Sequence, residues 1–421
     1  METGHRIAFH TLGCKLNQAE TELLARKFTE AGYRVIDSDG ADVCVLNTCT
    51  VTHIADRKSR HLLRLLRKRN PVALIIALGC YAERAPYELA QVGADLIVDN
   101  KHKMHLLEIV EEKLVSKPCS STGQLLLGGR NRVRSFVKIQ DGCSDFCAYC
   151  IVPHVRNREY CLPVKEIVDE VNSRVSVEYR EIVLTGTKIG TYNYDGAGLE
   201  YLIQQILAGT DVQRLHLSSL QPQDISSELL SLWRNPRLCR HFHLALQSGS
   251  ETVLKRMKRN YSIAGYRKAV SLIRRAVPDA AVTTDIIVGF PGESDGEFEE
   301  SYRFCREIDF ADIHIFPYSS RPGTRAAKMP EKVKESVKKE RSLKMQKLAQ
   351  ESAQKFREQF LGQTIRVLWE HETVPGSRIY SGFSDNYVRV FTESRKPLTN
   401  QLLSVHIVTL YDQGLWGEVI E

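Results

Sequence analysis

The chain has 421 residues, 43% hydrophobic and 26% charged, with a formal net charge of +7. That length allows roughly two to four domains, and the balance is that of a globular protein rather than a disordered or membrane-embedded one. The most apolar run, Val72–Leu78, is far too short to span a bilayer. Polar Met1–His5 leads into a strand-like run without a basic-then-apolar signal, so the expected location is cytoplasmic, with no membrane partner. A modestly basic charge permits a polyanionic partner without demanding one. Eleven cysteines form an odd set in a long chain. They argue against a disulfide framework and for metal or redox chemistry.

Residues 6–116 alternate strand and helix signals. Apolar runs at Ile7–Leu12, Val43–Leu46, Val72–Leu78 and Leu96–Val98 read as buried strands. Helical patterns cover Ala19–Ala31, Ile54–Arg69 and Glu83–Gln91. This alternation predicts a doubly wound parallel sheet. Ser116–Gly129 reads as a polar linker. A second β/α series follows, with strands at Phe136–Ile139, Glu181–Leu184, Arg214–Leu217, His243–Leu246, Val282–Val288 and Ile313–Phe316. Helices between them include Val164–Val175, Leu199–Leu207 and Ser294–Ile308. Six such units predict an open (β/α)6 partial TIM barrel, whose chemistry belongs at the C-terminal strand ends. Residues 331–358 read as one charged helix. Short runs at Thr364–Trp369, Tyr387–Phe391 and Leu403–Leu410 then predict a small all-β, OB-like barrel. The expected fold class is therefore α/β with a small β-barrel tail, in domains 1–124, 129–358 and 359–421.

Gly142-Cys143-Ser144-Asp145-Phe146-Cys147-Ala148-Tyr149-Cys150 has C-x3-C-x2-C spacing and follows the first strand of the barrel series. Thiolates are soft donors that select iron–sulfur clusters or zinc. Three of them hold three irons of a 4Fe–4S cluster and leave the fourth open to a small molecule. The alternative is a zinc loop completed by His154 or Cys161, although no second C-x2-C arm lies nearby. Cys14, Cys49 and Cys80 are distant in sequence, yet each follows a predicted strand: Leu12-Gly13-Cys14, Asn47-Thr48-Cys49 and Leu78-Gly79-Cys80. Parallel strands place those ends on one edge, and Gly13 and Gly79 permit the tight turns. Buried cysteines are also common as small core residues, the reading given to Cys44.

The segment GCSDFCAYCIVP (142–153) resembles the methylthiotransferase branch of the radical-SAM superfamily. Thr11–Asn17 (TLGCKLN), Asn47-Thr48-Cys49 and Gly79-Cys80-Tyr81 resemble the N-terminal domain of the same family. The resemblance spans essentially the whole chain, in the order auxiliary-cluster domain, radical-SAM domain, TRAM domain. It implies two 4Fe–4S clusters. Cys14, Cys49 and Cys80 would hold the auxiliary one, which takes part in sulfur insertion. Cys143, Cys147 and Cys150 would hold the one that chelates S-adenosylmethionine (SAM) and cleaves it to a 5′-deoxyadenosyl radical. Cys119, Cys161, Cys239 and Cys305 match no ligand position.

By the same resemblance, Tyr149 lies near the SAM adenine. Thr185 and Gly186 after the second strand, Gln247 and Ser248 after the fourth, and Gly289 after the fifth supply further SAM contacts. No individual catalytic residue is assigned. The run Asn47–Arg60 is most similar to the subgroup acting on N6-threonylcarbamoyladenosine at tRNA position 37. This implies a 2-methylthio product, the anticodon loop of tRNA as partner, an electron donor such as a flavodoxin or ferredoxin, and a sulfur source. The nearer alternative is a methylthiotransferase of the same family acting on isopentenyladenosine-37 in tRNA or on a ribosomal protein. A zinc-stabilised RNA-binding protein without catalysis is the reading from another class.

Arg57–Arg69 carries seven Lys/Arg and no Asp/Glu, a helix suited either to phosphate or to plain solvation. Lys328–Lys347 has eight Lys/Arg against three Asp/Glu, and Leu254–Asn260 is a shorter basic segment. Residues 361–421 are acidic, with five Lys/Arg and seven Asp/Glu, net −2. Tyr380, Phe383 and Tyr387 are either base-stacking residues or core.

Overall fold

The computed structural model describes residues 4–114 and 133–420; the Ser116–Gly129 linker lies outside them. The chain divides into two compact units. One is built from 1–130, 141–160 and 319–327, the other from 131–140, 161–318 and 328–421.

The first unit is a five-stranded parallel sheet of β1 (Arg6–Thr11), β2 (Arg34–Ile36), β3 (Val43–Thr48), β4 (Leu74–Gly79) and β5 (Leu96–Val98), in the order β2-β1-β3-β4-β5. Central β3 is buried along its whole length, because apolar layers cover both faces. Leu46, Leu63, Leu66, Ile75 and Leu89 pack on one side, Ile7, Phe28, Val43, Val45, Ile76 and Val110 on the other. The helix expected over Glu83–Gln91 is two short ones, Cys80–Arg84 and Pro86–Ala90. The break falls at Ala85 (φ −146°), since a residue before proline is pushed out of the α region. The three-residue edge strand β2 is too short to show a period.

The second unit holds six parallel strands: β6 (Arg134–Lys138), β7 (Glu181–Thr185), β8 (Arg214–Leu217), β9 (His241–His243), β10 (Ala281–Val288) and β11 (Asp312–Pro317). They form two ladders, β6-β7-β8 and β9-β10-β11, bridged at Leu215–Leu238 and Leu220–Leu244. Among the described residues no ladder joins β6 to β11, which leaves the partial barrel open. The fourth strand ends earlier than the expected His243–Leu246. Side chains replace its ladder there: Thr284 Oγ1 donates to Leu244 O (2.6 Å) and accepts from Leu246 N (3.0 Å). The helix Asp295–Ile308 starts at Ser294 through a capping box with Glu297. The charged helix runs from Glu335 to Glu358.

The tail is a closed five-stranded barrel: β12 (Thr364–Glu372), β13 (Ile379–Ser384), β14 (Arg389–Glu393), β15 (Leu402–Tyr411) and β16 (Gly414–Val419). Val367, Trp369, Val390, Val405, Ile407 and Leu415 fill it. It belongs to the same compact unit as β6–β11. Arg214 donates to the carbonyls of Phe383 (2.7 Å) and Arg366 (2.6 Å), and Arg240 to Asp385 (2.6 Å). No helix among the described residues is long and apolar enough to cross a membrane.

Candidate functional site: two cysteine trios

Neighbouring strands β1, β3 and β4 end next to Cys14, Cys49 and Cys80, so the parallel sheet delivers all three to one edge. That edge includes the reversal of strand order at β1 and β3, where doubly wound sheets bind ligands. Gly13 (φ +109°) lets the first turn press against the second: a Cβ there would lie 2.7 Å from Cys49 Cβ and 3.0 Å from its sulfur. Asn17 ties the turns together, donating from Nδ2 to Leu12 O (2.9 Å) and Thr48 O (3.1 Å). Thr48 Oγ1 donates to Leu78 O (2.6 Å) and accepts from Ala82 N (3.2 Å).

The three sulfurs are electrostatic neighbours. Burial pushes the Cys49 thiol up to about 12, and Cys80 and Cys14 add to the rise. Cys14 reaches the surface, but enough protein surrounds its thiol for lost solvation to raise its pKa, against the pull of Arg156 and with Cys80 adding. None of the ten described cysteines is in a disulfide. The donor set therefore fits a thiolate-held cluster.

Sequence reasoning missed Arg156, which is 6% exposed. Its Nε donates to Cys80 Sγ (3.4 Å), Nη2 to Asn17 Oδ1 (2.9 Å) and Glu20 Oε2 (3.0 Å), and Nη1 to both Asp141 oxygens (2.7 and 2.9 Å). Lys103 Nζ also pairs with Glu20 (2.6 Å). A second buried network surrounds Asp56, which accepts from Thr50 Oγ1 (2.6 Å), Arg84 (3.1 Å) and Arg321. Thr50 directly follows Cys49.

The loop trio lies in the same compact unit as the first. Gly142 (φ +78°) makes the entry turn; a Cβ there would sit 2.1 Å from Arg158 O. Asp145 N–H donates to Cys143 Sγ (3.4 Å) and Ala326 N–H to Ala148 O (2.7 Å). Cys147 is buried; Cys143, Tyr149 and Cys150 are half-buried. Cys80 of the first trio packs in one apolar cluster with Ile151 and Val155, one and five residues after Cys150. His154 is exposed and edge-on to Phe146. Cys161 belongs to the other unit and accepts from Asn193 N–H (3.4 Å). Among the described residues neither cysteine set gathers three donor atoms within 4.8 Å of one another.

In the second unit, Thr185 closes β7 and Gly186 follows it; a Cβ on Gly186 would meet Gln140 O at 2.8 Å. Gln247 stands at φ +69° and bonds through its backbone to Asp285 O (2.8 Å) and Ile287 N (2.9 Å). Ser248 is wholly buried, its hydroxyl shared with Ser301 (3.0 Å) and the Ser250 amide (3.2 Å). Gly289 N–H donates to Glu293 (2.6 Å).

The basic stretches differ sharply. In the helix His53–Arg69, Arg57, His61, Arg64 and Lys68 are exposed. Their spacing of four, three and four residues puts them on one face. Arg60 and Arg67 turn inward to Tyr81 and Asp95. On the long helix, by contrast, Lys338 donates to Tyr318 O, Arg341 pairs with Glu293 and Asp295, and Lys344 pairs with Glu299. Arg256 is bidentate to Glu297. In the tail, Tyr387 stacks on His241 and contacts His216 and Phe383, with Arg134 over both tail rings. Tyr387 and Phe383 are joint residues between the two barrels, and Tyr380 is buried core.

A cysteine-tipped parallel sheet, a C-x3-C-x2-C loop and a six-stranded β/α partial barrel define a radical-SAM iron–sulfur enzyme. Residues 6–99 match the uncharacterized protein family UPF0004 and residues 137–305 the radical SAM superfamily. The chain is 34% identical to threonylcarbamoyladenosine tRNA methylthiotransferase MtaB of Bacillus subtilis, over 99% of this chain and 97% of that protein. The MtaB of Aquifex aeolicus is 37% identical, over 93% and 97%. A tRNA-2-methylthio-N(6)-dimethylallyladenosine synthase of Bacillus cereus is 33% identical, over 100% and 86%. In fold, the chain resembles the radical S-adenosylmethionine methyltransferase TsrM of Kitasatospora setae (TM-score 0.56, 14% identity, 74% of this chain and 72% of that one). The chain belongs to the radical-SAM methylthiotransferases, in the MtaB subgroup. Its cofactors are SAM and 4Fe–4S clusters.

Proposed function

We propose that this enzyme modifies tRNA, replacing the C2 hydrogen of N6-threonylcarbamoyladenosine at position 37 with a methylthio group. Adenine C2–H is neither acidic nor electrophilic enough for acid–base attack, so the chemistry must come from cofactors. When bound, SAM and the clusters supply the electron, radical and sulfur chemistry. Cys14, Cys49 and Cys80 hold the auxiliary cluster, and Cys143, Cys147 and Cys150 the SAM-binding one. Arg156 holds a positive charge and an N–H against Cys80, and Asn17 fixes the turns that aim the trio. Tyr149, Thr185, Gly186 and Gln247 contact SAM; Ser248 and Gly289 act by shaping their loops. An electron donor such as a flavodoxin or ferredoxin and a separate sulfur source complete the reaction.

The observation that carries this reading is that both trios lie in one compact unit, with Cys80 packed against Ile151, the residue after Cys150. The test is anaerobic incubation of the cluster-loaded protein with SAM, reductant, sulfide and undermodified tRNA, followed by mass spectrometry of nucleosides. The expected product is the 2-methylthio derivative of threonylcarbamoyladenosine. Methylthiolation of isopentenyladenosine alone, or of a ribosomal protein alone, would overturn the substrate assignment.

A further inference from the structure

We propose that His243, Asp285 and His314 bind one divalent metal ion of the zinc class, at a site independent of the six cysteines. The three residues come from adjacent parallel strands. His243 of β9 is opposite Thr283 of β10, and Asp285 of β10 is opposite His314 of β11. Thr283 and Asp285 are two residues apart, so all three donors lie on one face of the ladder. The other face carries Phe242, Val282, Ile286 and Ile313 into the apolar core. One ligand atom from each of the three lies within 4.8 Å of the others. His243 Nε2 is 3.3 Å from Asp285 Oδ2.

The second ring nitrogen of His243 is already anchored, with Nδ1 3.0 Å from Thr283 Oγ1. That hydroxyl is also 3.1 Å from His241 Nε2, and His241 Nδ1 is 2.8 Å from His216 Nε2. In the proton order a metal needs, which these distances admit, His243 Nδ1–H donates to Thr283, Thr283 O–H to His241 Nε2, and His241 Nδ1–H to His216 Nε2. The His243 Nε2 lone pair is then left facing Asp285 and His314. Fixing the tautomer of a ligand histidine through its other nitrogen is how protein metal sites are held. Two imidazoles and one carboxylate suit zinc, iron(II) or nickel rather than calcium or magnesium. His243 is 12%, Asp285 27% and His314 51% exposed in the side chain. The set thus closes on one side and stays open to a water or ligand oxygen on the other.

The test adds Zn2+ to the anaerobic, cluster-loaded full-length protein, with zinc and iron counted after gel filtration and zinc X-ray absorption recorded. The expected result is one zinc per chain with iron unchanged, and imidazole scattering without zinc–sulfur contacts. Exposed His314→Gln should abolish stoichiometric uptake. Thr283→Val, which removes the anchor of His243 together with the bond to His241, should weaken it by roughly 10- to 100-fold. Both variants should keep their iron, and exposed His314→Gln its melting temperature as well. Zinc uptake that displaces iron or shows sulfur ligands, or that is the same in both variants, would overturn the proposal.

Discussion

Arg156 Nε sits 3.4 Å from Cys80 Sγ, although 76 residues separate the two in sequence. A cationic N–H donor at a cluster ligand favours the more negative, reduced cluster and so raises its potential. Replacing Arg156 with Lys keeps a charge but loses the planar fork that reaches Cys80, Asn17, Glu20 and Asp141 together. The expected outcome is a folded protein with full iron whose auxiliary-cluster potential falls by on the order of 50 mV, the one-electron equivalent of about 1 kcal/mol. A potentiometric titration followed by electron paramagnetic resonance measures this. An unmoved potential would reduce Arg156 to a packing residue. Arg156→Gln should be worse for stability, because it leaves buried Asp141 without its cation.

Gly13 and Cys49 give a second prediction. Gly13→Ala must place a Cβ 2.7 Å from Cys49 Cβ, on a backbone at φ +109°. The combined strain is about 1–3 kcal/mol and falls on the turn that aims the first trio. Iron should drop to about half while the loop cluster, and with it SAM cleavage, survives. Loss of both clusters together would mean that the turn governs global folding instead.

The placement of the cysteines at strand ends and in one loop was legible because each is a local signal. Leu-Gly-Cys or Asn-Thr-Cys at a strand end needs only the strand to be recognised, and the loop trio needs only its spacing. What surrounds them was not legible. Arg156 finds Glu20 across 136 residues and Arg321 finds Asp56 across 265, and no periodicity encodes such pairings. The fold was readable where runs were long and apolar, as in β3 and β10. It was misjudged where a proline cut a helix at Ala85 or where Thr284 took over a strand's hydrogen bonds. The histidine row left a trace. Arg214-Leu-His216, His241-Phe-His243 and Asp312-Ile-His314 alternate polar and apolar residues with period two, which marks strands with one polar face rather than strands buried on both sides.

Glu297 provides a pH test away from the clusters. It accepts both Arg256 guanidinium nitrogens (2.8 Å each), the Thr252 hydroxyl (2.7 Å) and the Ser294 amide (2.9 Å). These bonds, that to Arg256 foremost, hold its carboxyl down from 4.5 to about 2. A depressed folded-state pKa stabilises fully above the unfolded value and is lost as pH falls through the folded one. The stability gap between the wild-type protein and Glu297→Gln should therefore be widest above pH 4.5 and close progressively toward pH 2, as read by urea unfolding. A gap that does not change with pH would contradict the assignment.

The exposed basic stripe on the helix His53–Arg69 predicts a phosphate track for RNA. Arg57, His61, Arg64 and Lys68 form one exposed stripe, whereas Lys338, Arg341 and Lys344 of the longer basic helix are engaged within the protein. Each phosphate that a side chain no longer neutralises lowers the salt dependence of binding by somewhat less than one unit. Replacing Arg57, Arg64 and Lys68 with Glu should therefore weaken tRNA binding at least tenfold near 0.1 M salt and flatten the plot of log affinity against log salt by roughly two to three units. Iron content and SAM cleavage without tRNA should not change, because none of the three touches a cysteine turn. If the same swaps at exposed Lys332, Lys334 and Lys339 weakened binding more, the phosphate track would lie along the start of the longer helix, and the stripe on His53–Arg69 would be a solvated face.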